Sequence, residues 1–179
     1  MAKVALLPVL LLAGCMIAGV YGALHDQVSY TVSPDYFHAF KFIQFNIPPN
    51  LQDRTGAALV GWGATWWMGL IIGVPVLAIG LTLPDARTYA TRSLVAFAVV
   101  AATALLVGGG ALAYATLTID AAHLPDYWYP DEAVDRVAFA RVGTMHNFGY
   151  LGGLLGIVTA STYLLVERDR LARRAASAT

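Results

Sequence analysis

Four apolar segments that contain no Asp, Glu, Lys or Arg place the strongest constraint on how this chain can fold. They are residues 4–24, 57–83, 93–117 and 144–166. A membrane-spanning helix needs about 20 consecutive, mostly apolar residues, so each segment is long enough to cross a bilayer. The sequence therefore predicts an all-α membrane protein, a single four-helix transmembrane domain over residues 1–179.

Composition excludes most other classes of protein. Hydrophobic residues make up 58% of the chain and charged residues only 12%, whereas a soluble domain carries about 25% charged residues. The formal net charge is zero and no basic tract is present, which argues against a nucleic-acid partner. A single cysteine excludes a disulfide-based scaffold. The lipid bilayer is therefore the first expected partner.

Two features are expected to bend the predicted spans. Pro75 lies within the second span, and Gly108, Gly109 and Gly110 lie within the third. Proline and clustered glycine are common causes of helix kinks, and neighbouring helices in a bundle can satisfy the backbone groups that a kink frees. We expect one bend at each position.

The first apolar segment also contains a short motif that resembles a bacterial lipoprotein signal, Leu12-Ala13-Gly14-Cys15. The apolar run continues well past Cys15, and it is longer than the 7–15-residue core of a signal peptide. We therefore expect Cys15 to be a small buried residue of the first helix. Lipidation of Cys15 is the alternative.

Basic residues predict the orientation of the chain, because short cytoplasmic loops carry an excess of Lys and Arg. One side of the predicted bundle carries seven basic residues: Lys3, Arg87, Arg92, Arg168, Arg170, Arg173 and Arg174. The other side carries four: Lys41, Arg54, Arg136 and Arg141. The sequence thus predicts a bacterial inner-membrane protein with both termini in the cytoplasm and a polar cytoplasmic tail over residues 167–179.

The first outer loop contains signals for two kinds of local structure. Apolar and polar residues alternate over residues 28–33, which favours a short extended segment. Ser33, Pro34 and Asp35 are then typical of a helix start. Residues 34–45 are predicted to form an interfacial helix, with β-structure as the alternative. Its expected polar stripe is Asp35, His38, Lys41 and Gln44, and its expected lipid-facing residues are Phe37, Phe40 and Ile43.

A second helix start is indicated in the other outer loop. There the sequence Pro130-Asp131-Glu132 is predicted to begin a helix that runs on into the fourth span.

Histidine supplies the main candidate chemistry, and all four histidines fall on the outer side. His25 ends the first span beside Asp26, and His146 lies one turn inside the fourth span beside Asn147. We predict that the two imidazoles lie close together, with Asp26 or Asn147 hydrogen-bonded to one of them, because an unpaired buried polar group is costly in apolar surroundings.

These residues allow three interpretations. A Cu or Zn ion bound by His25, Asp26, His123 and His146 is one, because imidazole suits both metals and a carboxylate commonly accompanies it. Haem with His25 and His146 as axial ligands is the second. The third is a hydrogen-bonded link between two helix ends that holds no cofactor.

Glycine-rich helix faces are the remaining functional signal. Small residues four apart let two membrane helices approach closely. Such positions occur in the fourth and second spans, at Gly149, Gly152, Gly153, Gly156, Gly69 and Gly73. They indicate either packing within the bundle or a docking face for a membrane-protein partner or a second copy of the chain.

Two sequence motifs carry a resemblance that covers most of the chain. The stretches His25-Asp26-Gln27-Val28-Ser29-Tyr30-Thr31-Val32-Ser33-Pro34 and Met145-His146-Asn147-Phe148-Gly149-Tyr150-Leu151-Gly152-Gly153 resemble those of a group of small bacterial four-helix membrane proteins. The resemblance implies the fold and lends no activity or cofactor.

The absence of known catalytic motifs is the main guide to function in this sequence. The sequence contains no CxxC, GxSxG, HExxH or Walker motif, so no catalytic residue is assigned and an enzyme is not favoured. The first hypothesis is a non-catalytic accessory subunit of a larger inner-membrane complex. The alternative is a metal- or haem-binding membrane protein with a periplasm-facing histidine site, including a redox-active one. A small transporter is least favoured, because the spans contain no charged relay.

The predicted orientation can be tested by labelling single cysteines introduced at Lys41, Asp126 and Arg170. Because the basic residues place the first two outside, an impermeant thiol reagent should modify Lys41→Cys and Asp126→Cys in intact cells. Arg170→Cys should react only after the membrane is opened. The reverse pattern would contradict the orientation.

Overall fold

The computed structural model describes residues 2–177, and within this range every regular element is helical. This confirms the predicted all-α class. In chain order the elements are α1 (Ala2–Val32), α2 (Pro34–Tyr36), a π-helical turn (Phe37–Lys41), α3 (Phe42–Gln44), a 3-10 turn (Pro49–Leu51), α4 (Arg54–Thr65), α5 (Met68–Gly80), α6 (Ala86–Thr118) and α7 (Arg136–Ala176).

Long apolar helices dominate the architecture, as in a multi-pass membrane protein. Three helices among the described residues, α1, α6 and α7, are each long and apolar enough to cross a membrane. Helices α4 and α5 meet this test only together, and they are bent by 44° relative to each other. All three long helices extend beyond the apolar segments that predicted them.

Aspartate caps set where three of the helices begin. Asp53, Asp85 and Asp135 each accept backbone N–H groups from the first turn of α4, α6 and α7. The backbone N–H of Thr88 bonds to Asp85, which lowers the pKa of that carboxyl, and the Thr88 hydroxyl adds to the effect. Caps of this kind satisfy N–H groups that have no partner within the helix.

The predicted helix start at residues 130–132 is wrong. These residues lie in a turn, closed by a hydrogen bond from the Ala133 N–H to the Pro130 carbonyl. Helix α7 begins at Arg136 instead, because the Asp135 side chain accepts the Ala138 N–H at 2.9 Å. The cap therefore lies five residues after the proline that suggested a start.

The predicted extended segment at residues 28–33 is also wrong, because α1 continues through Val32. The hydroxyl of Thr31 bonds to the carbonyl of Gln27 one turn earlier, and the Arg54 guanidinium bonds to the Thr31 hydroxyl. No other strand exists among residues 2–177 to pair with an extended segment. Six residues of alternating apolar and polar side chains are too few to predict a strand where a long helix continues.

The break in the predicted second span lies between α4 and α5 and not at Pro75. Helix α5 passes through Pro75 without a break, and α6 is continuous through its three glycines. The bend lies between α4 and α5, next to Thr65. The hydroxyl of Thr65 bonds to the carbonyls of Gly61 and Ala18, both at 2.8 Å. A threonine that bonds back to its own helix tends to bend it.

The segment from Pro34 to Gln44 is helical, as predicted, with a π-helical turn between α2 and α3. Ser33 caps it by accepting the Tyr36 N–H at 3.2 Å. Phe37 was expected to face lipid but is fully buried, because the π-helical turn rotates it into an aromatic cluster with Tyr30 and Phe42.

The long helices form two tight antiparallel pairs. In the first pair, α1 packs along α4 and α5, where Gly22 touches Gly61 and Gly69 touches Cys15. Cys15 is buried in this contact, as expected. At one end of this pair the Lys3 ammonium donates to the carbonyls at the end of α5, 2.7 Å from Leu81 O.

The second pair consists of α6 and α7. A Cβ at Gly152 would lie 2.8 Å from Ala104 Cα, and one at Gly156 would lie 2.7 Å from a Val100 methyl. The glycine faces noted in the sequence are therefore occupied by packing within the chain.

The C-terminal segment is part of the bundle rather than a separate tail. Helix α7 runs on to Ala176, and Glu167 is buried where it pairs with Arg92 of α6 at 3.0 Å. The predicted tail thus begins with a residue that joins the second helix pair. Its last residues, 178–179, lie outside the described range.

Replacing Gly61 by alanine should destabilise the first helix pair. The added methyl group would overlap the backbone of Gly22, and overpacking of this kind costs about 1–3 kcal/mol. Gly110→Ala is the matched control, since a Cβ there meets open space. Thermal unfolding in detergent should show a lower Tm for Gly61→Ala only; equal Tm values would contradict the packing.

Candidate functional site

His25 and Asp26 of α1 meet His146 of α7 where the two helix pairs face each other. The two imidazole centroids are 4.8 Å apart, with the rings at 87°. Asp26 Oδ1 lies 3.1 Å from His25 Nδ1 and 3.5 Å from His146 Nε2. The predicted proximity of the two histidines, with Asp26 bonded to one of them, is confirmed.

Ser29, which was not predicted as a site residue from the sequence, joins the two helix pairs directly. Its Oγ lies 3.0 Å from His146 Nε2, and it donates to the His25 carbonyl at 3.2 Å. Ser29 is fully buried. Residues four apart share one face of a helix, so the spacing from His25 to Ser29 contains the signal. This spacing was overlooked because residues 28–33 were predicted to be extended rather than helical.

A tyrosine covers the cluster on the loop side. The Tyr36 ring centroid lies 5.0 Å from that of His146, and Tyr36 is buried. The Ser33 cap fixes the turn that presents this ring. The neighbouring Asp35 carboxylate accepts the backbone N–H groups of Val134 and Asp135, at 3.0 and 2.7 Å. These two hydrogen bonds attach the segment that carries Tyr36 to the start of α7.

The charge of Asp26 shifts the pKa values of two groups that cover the site, Tyr36 and Lys41. Burial raises the pKa of the Tyr36 hydroxyl, and the nearby Asp26 carboxylate raises it further. Burial lowers the pKa of Lys41, and attraction to Asp26 acts in the opposite direction. The Lys41 ammonium lies 4.4 Å from the Phe40 ring centroid, so it is held over the aromatic cover. Tyr36 therefore stays protonated beside the cluster.

Three buried polar atoms at the cluster have no hydrogen-bond partner among the described residues. They are His25 Nε2, Asp26 Oδ2 and Tyr21 Oη. Asp26 is only 2% exposed. A buried polar atom left unpaired costs about 1–3 kcal/mol. Three such atoms in one place indicate a site that takes up something from outside the chain.

The other predicted partners lie elsewhere. His123 is exposed in the second outer loop, where its Nδ1 lies 2.9 Å from Asp120 Oδ1. His38 contacts the Tyr30 hydroxyl at 3.1 Å. Asn147 is exposed, because one step along a helix rotates a side chain by about 100° away from its neighbour. The structure thus brings together three of the four predicted ligands and leaves His123 apart.

Comparison with known proteins gives no further guidance, since no family model, curated protein or solved structure matches the chain.

Replacing Ser29 by alanine should loosen the contact between the helix pairs. His146 Nε2 would lose its 3.0 Å partner in a buried place, at a cost of about 1–3 kcal/mol. Ser177→Ala removes an exposed hydroxyl and is the control. The free energy of unfolding in detergent should fall for Ser29→Ala alone. Identical values for the two variants would contradict the bridging role.

Proposed function

We propose that the chain is a four-span inner-membrane protein that binds a divalent transition-metal ion, Zn²⁺ or Cu²⁺, through His25, Asp26 and His146. One observation carries the proposal: these three residues converge from two distant helices, and their potential ligand atoms all lie within 4.8 Å of one another.

The second of the four spans in this proposal is the bent pair α4 and α5. Lys3 contacts the end of α5, and Gln27 Nε2 bonds to the Arg54 carbonyl at the start of α4. The pair therefore extends along almost the whole of α1, which is itself long enough to cross a bilayer. A broken helix is tolerated at membrane depth where other helices cover it.

Two features support placing the histidine cluster at the outer face. The excess of Lys and Arg lies at the opposite end of the bundle, as it does on the cytoplasmic side of membrane proteins. The segment from Pro34 to Gln44 exposes Ile43 by 64% while Phe37 and Phe42 point inward. Such a two-sided segment suits the membrane surface. Both termini would then be cytoplasmic.

The distances within the cluster suit a metal ion. Two ligand atoms that each lie 2.0–2.1 Å from one tetrahedral ion are roughly 3.4 Å apart. Asp26 Oδ1 is 3.1 Å from His25 Nδ1 and 3.5 Å from His146 Nε2. A cation would also offset the cost of burying the Asp26 carboxylate, which is large for an unpaired charge. Three protein ligands leave one position of a tetrahedral ion open.

Haem does not fit the same residues. The two imidazoles are in edge-to-face contact, so no macrocycle can lie between them. The adjoining cavity holds about 90 Å³, whereas even drug-sized ligands occupy pockets of about 300–1,000 Å³. The metal-ion version of the predicted cofactor site is therefore the one we propose.

An accessory subunit is the second candidate, favoured by one surface of α6. A Cβ at Gly109 or Gly110 would meet nothing within 4 Å. Small residues on an open helix face let another membrane helix approach closely. A partner or a second copy of the chain would dock there, rather than on the glycines that pack within the bundle.

Metal binding is testable by isothermal titration of the chelator-treated protein with Zn²⁺ in detergent. We expect about one ion per chain, and at least about tenfold weaker binding for His25→Ala, Asp26→Ala and His146→Ala. His38→Ala and His123→Ala are matched controls and should bind as the wild type does. Circular dichroism would show that each variant is folded.

Two results would contradict the metal proposal. One is Zn²⁺ binding that survives in the His25→Ala/His146→Ala double variant. The other is binding that is lost in His123→Ala, since His123 lies outside the cluster.

A further inference from the structure

A buried methionine thioether lies beside the histidine cluster. Met145 directly precedes His146 in α7, and it is only 2% exposed. Its Sδ lies 3.8 Å from the hydroxyl oxygen of Ser29. A thioether sulfur accepts hydrogen bonds only weakly, whereas it is a good ligand for soft metal ions. The sulfur is therefore a candidate ligand that comes from the same helix as His146.

The Ser29 hydroxyl marks the place where the methionine and both histidines converge. Its oxygen is 3.0 Å from His146 Nε2 and 3.5 Å from His25 Nδ1. Neighbouring side chains on a helix point about 100° apart. Met145 and His146 nevertheless reach the same hydroxyl, because the methionine side chain is unbranched and adapts its shape. One sulfur and two imidazole nitrogens thus lie within 3.8 Å of a single atom.

This set of ligand atoms differs from the one that zinc prefers. Zinc sites in proteins are built from thiolate, imidazole and carboxylate ligands. A neutral thioether is a softer ligand, and soft sulfur ligands select Cu⁺. Because imidazole binds both zinc and copper, the sulfur is the group that discriminates between the two metals.

The charges around the cluster favour the same ion. The Asp26 carboxylate is 2% exposed, and burying an unbalanced charge is costly. One Cu⁺ ion would balance this carboxylate, since neutral imidazole and thioether ligands add no charge. A doubly charged ion would leave one positive charge over, and the Lys41 ammonium is already close enough to attract Asp26.

We propose that the site binds copper in its singly charged state, Cu⁺, in preference to Zn²⁺, and that Met145 is a further ligand beside His25 and His146. This inference rests on the metal site proposed above, and it names the ion that the site selects. The Ser29 hydroxyl brings the sulfur and the His146 nitrogen to the same place. Asp26 supplies the balancing charge.

The ion preference can be tested in detergent, without oxygen, by competition against bicinchoninate, a coloured chelator of Cu⁺. The wild type should withdraw Cu⁺ from the chelator and should hold it more tightly than Zn²⁺. Met145→Leu conserves volume and apolar character, and it should bind Cu⁺ at least about tenfold more weakly. Its Zn²⁺ affinity should be unchanged. Met16→Leu is the matched control, because Met16 is 49% exposed on α1.

X-ray absorption at the copper edge distinguishes a sulfur ligand from a sulfur that only packs nearby. Wild-type protein and Met16→Leu, both loaded with Cu⁺, should show a sulfur scatterer beside the nitrogen scatterers. Met145→Leu should lack it. If circular dichroism shows that Met145→Leu is not folded, wild-type protein containing selenomethionine replaces it. Selenium should then take the place of sulfur as the scatterer.

Three results would overturn the proposal. They are a copper site without a sulfur or selenium scatterer, folded Met145→Leu that binds Cu⁺ as tightly as the wild type, and wild type that binds Zn²⁺ more tightly than Cu⁺. Zn²⁺ binding that still depends on His25, Asp26 and His146 would in each case leave the metal site standing without Met145. Failure of the wild type to bind either ion would contradict the metal site itself.

Discussion

Close backbone contact at glycine is the constraint on which the rest of this structure depends. Gly22 and Gly61 touch so closely that neither position has room for a Cβ. Between membrane helices, such contact gains van der Waals packing that lipid chains do not provide. The result is two firm helix pairs, α1 with α4 and α5, and α6 with α7. The space between the pairs is filled by polar residues at one end and by an apolar core that includes Leu10, Val76 and Phe97 at the other.

The polar cluster is costly to bury unless its groups are paired, and this explains its composition. Ser29 and Asp26 both reach toward His146, so one helix pair supplies partners for the other. The pairing is incomplete, since His25 Nε2 and Asp26 Oδ2 remain without partners among the described residues. The proposed cation would offset the buried charge of Asp26, and its ligand atoms would be Asp26 Oδ1, His25 Nδ1 and His146 Nε2.

Hydropathy predicted the helical class because a long apolar run has few alternatives in a bilayer. It also led to the pairing of His25 with His146, since both end apolar runs at the same level. It could not find Ser29, because the alternation of Val and Tyr with Ser and Thr over residues 28–33 suggested an extended segment where the helix continues. Nor could it place the bend, since the Thr65 hydroxyl reaches the carbonyl of Ala18, a contact that exists only after folding.

His123 was grouped with the site because it lies in a loop at the same end of the bundle. Asp120 caps the turn that contains His123 and holds its side chain away from the cluster.

The attachment of Asp35 to the start of α7 has a consequence for kinetics. Two backbone N–H groups, those of Val134 and Asp135, hold this carboxylate, and the next residue, Tyr36, covers His146. Anything that enters or leaves the cluster from the loop side must first release this fastening. Lid openings of this type take place in microseconds to seconds. The residence time of a bound species on that route then depends on how often the loop opens as well as on how strongly the histidines hold it.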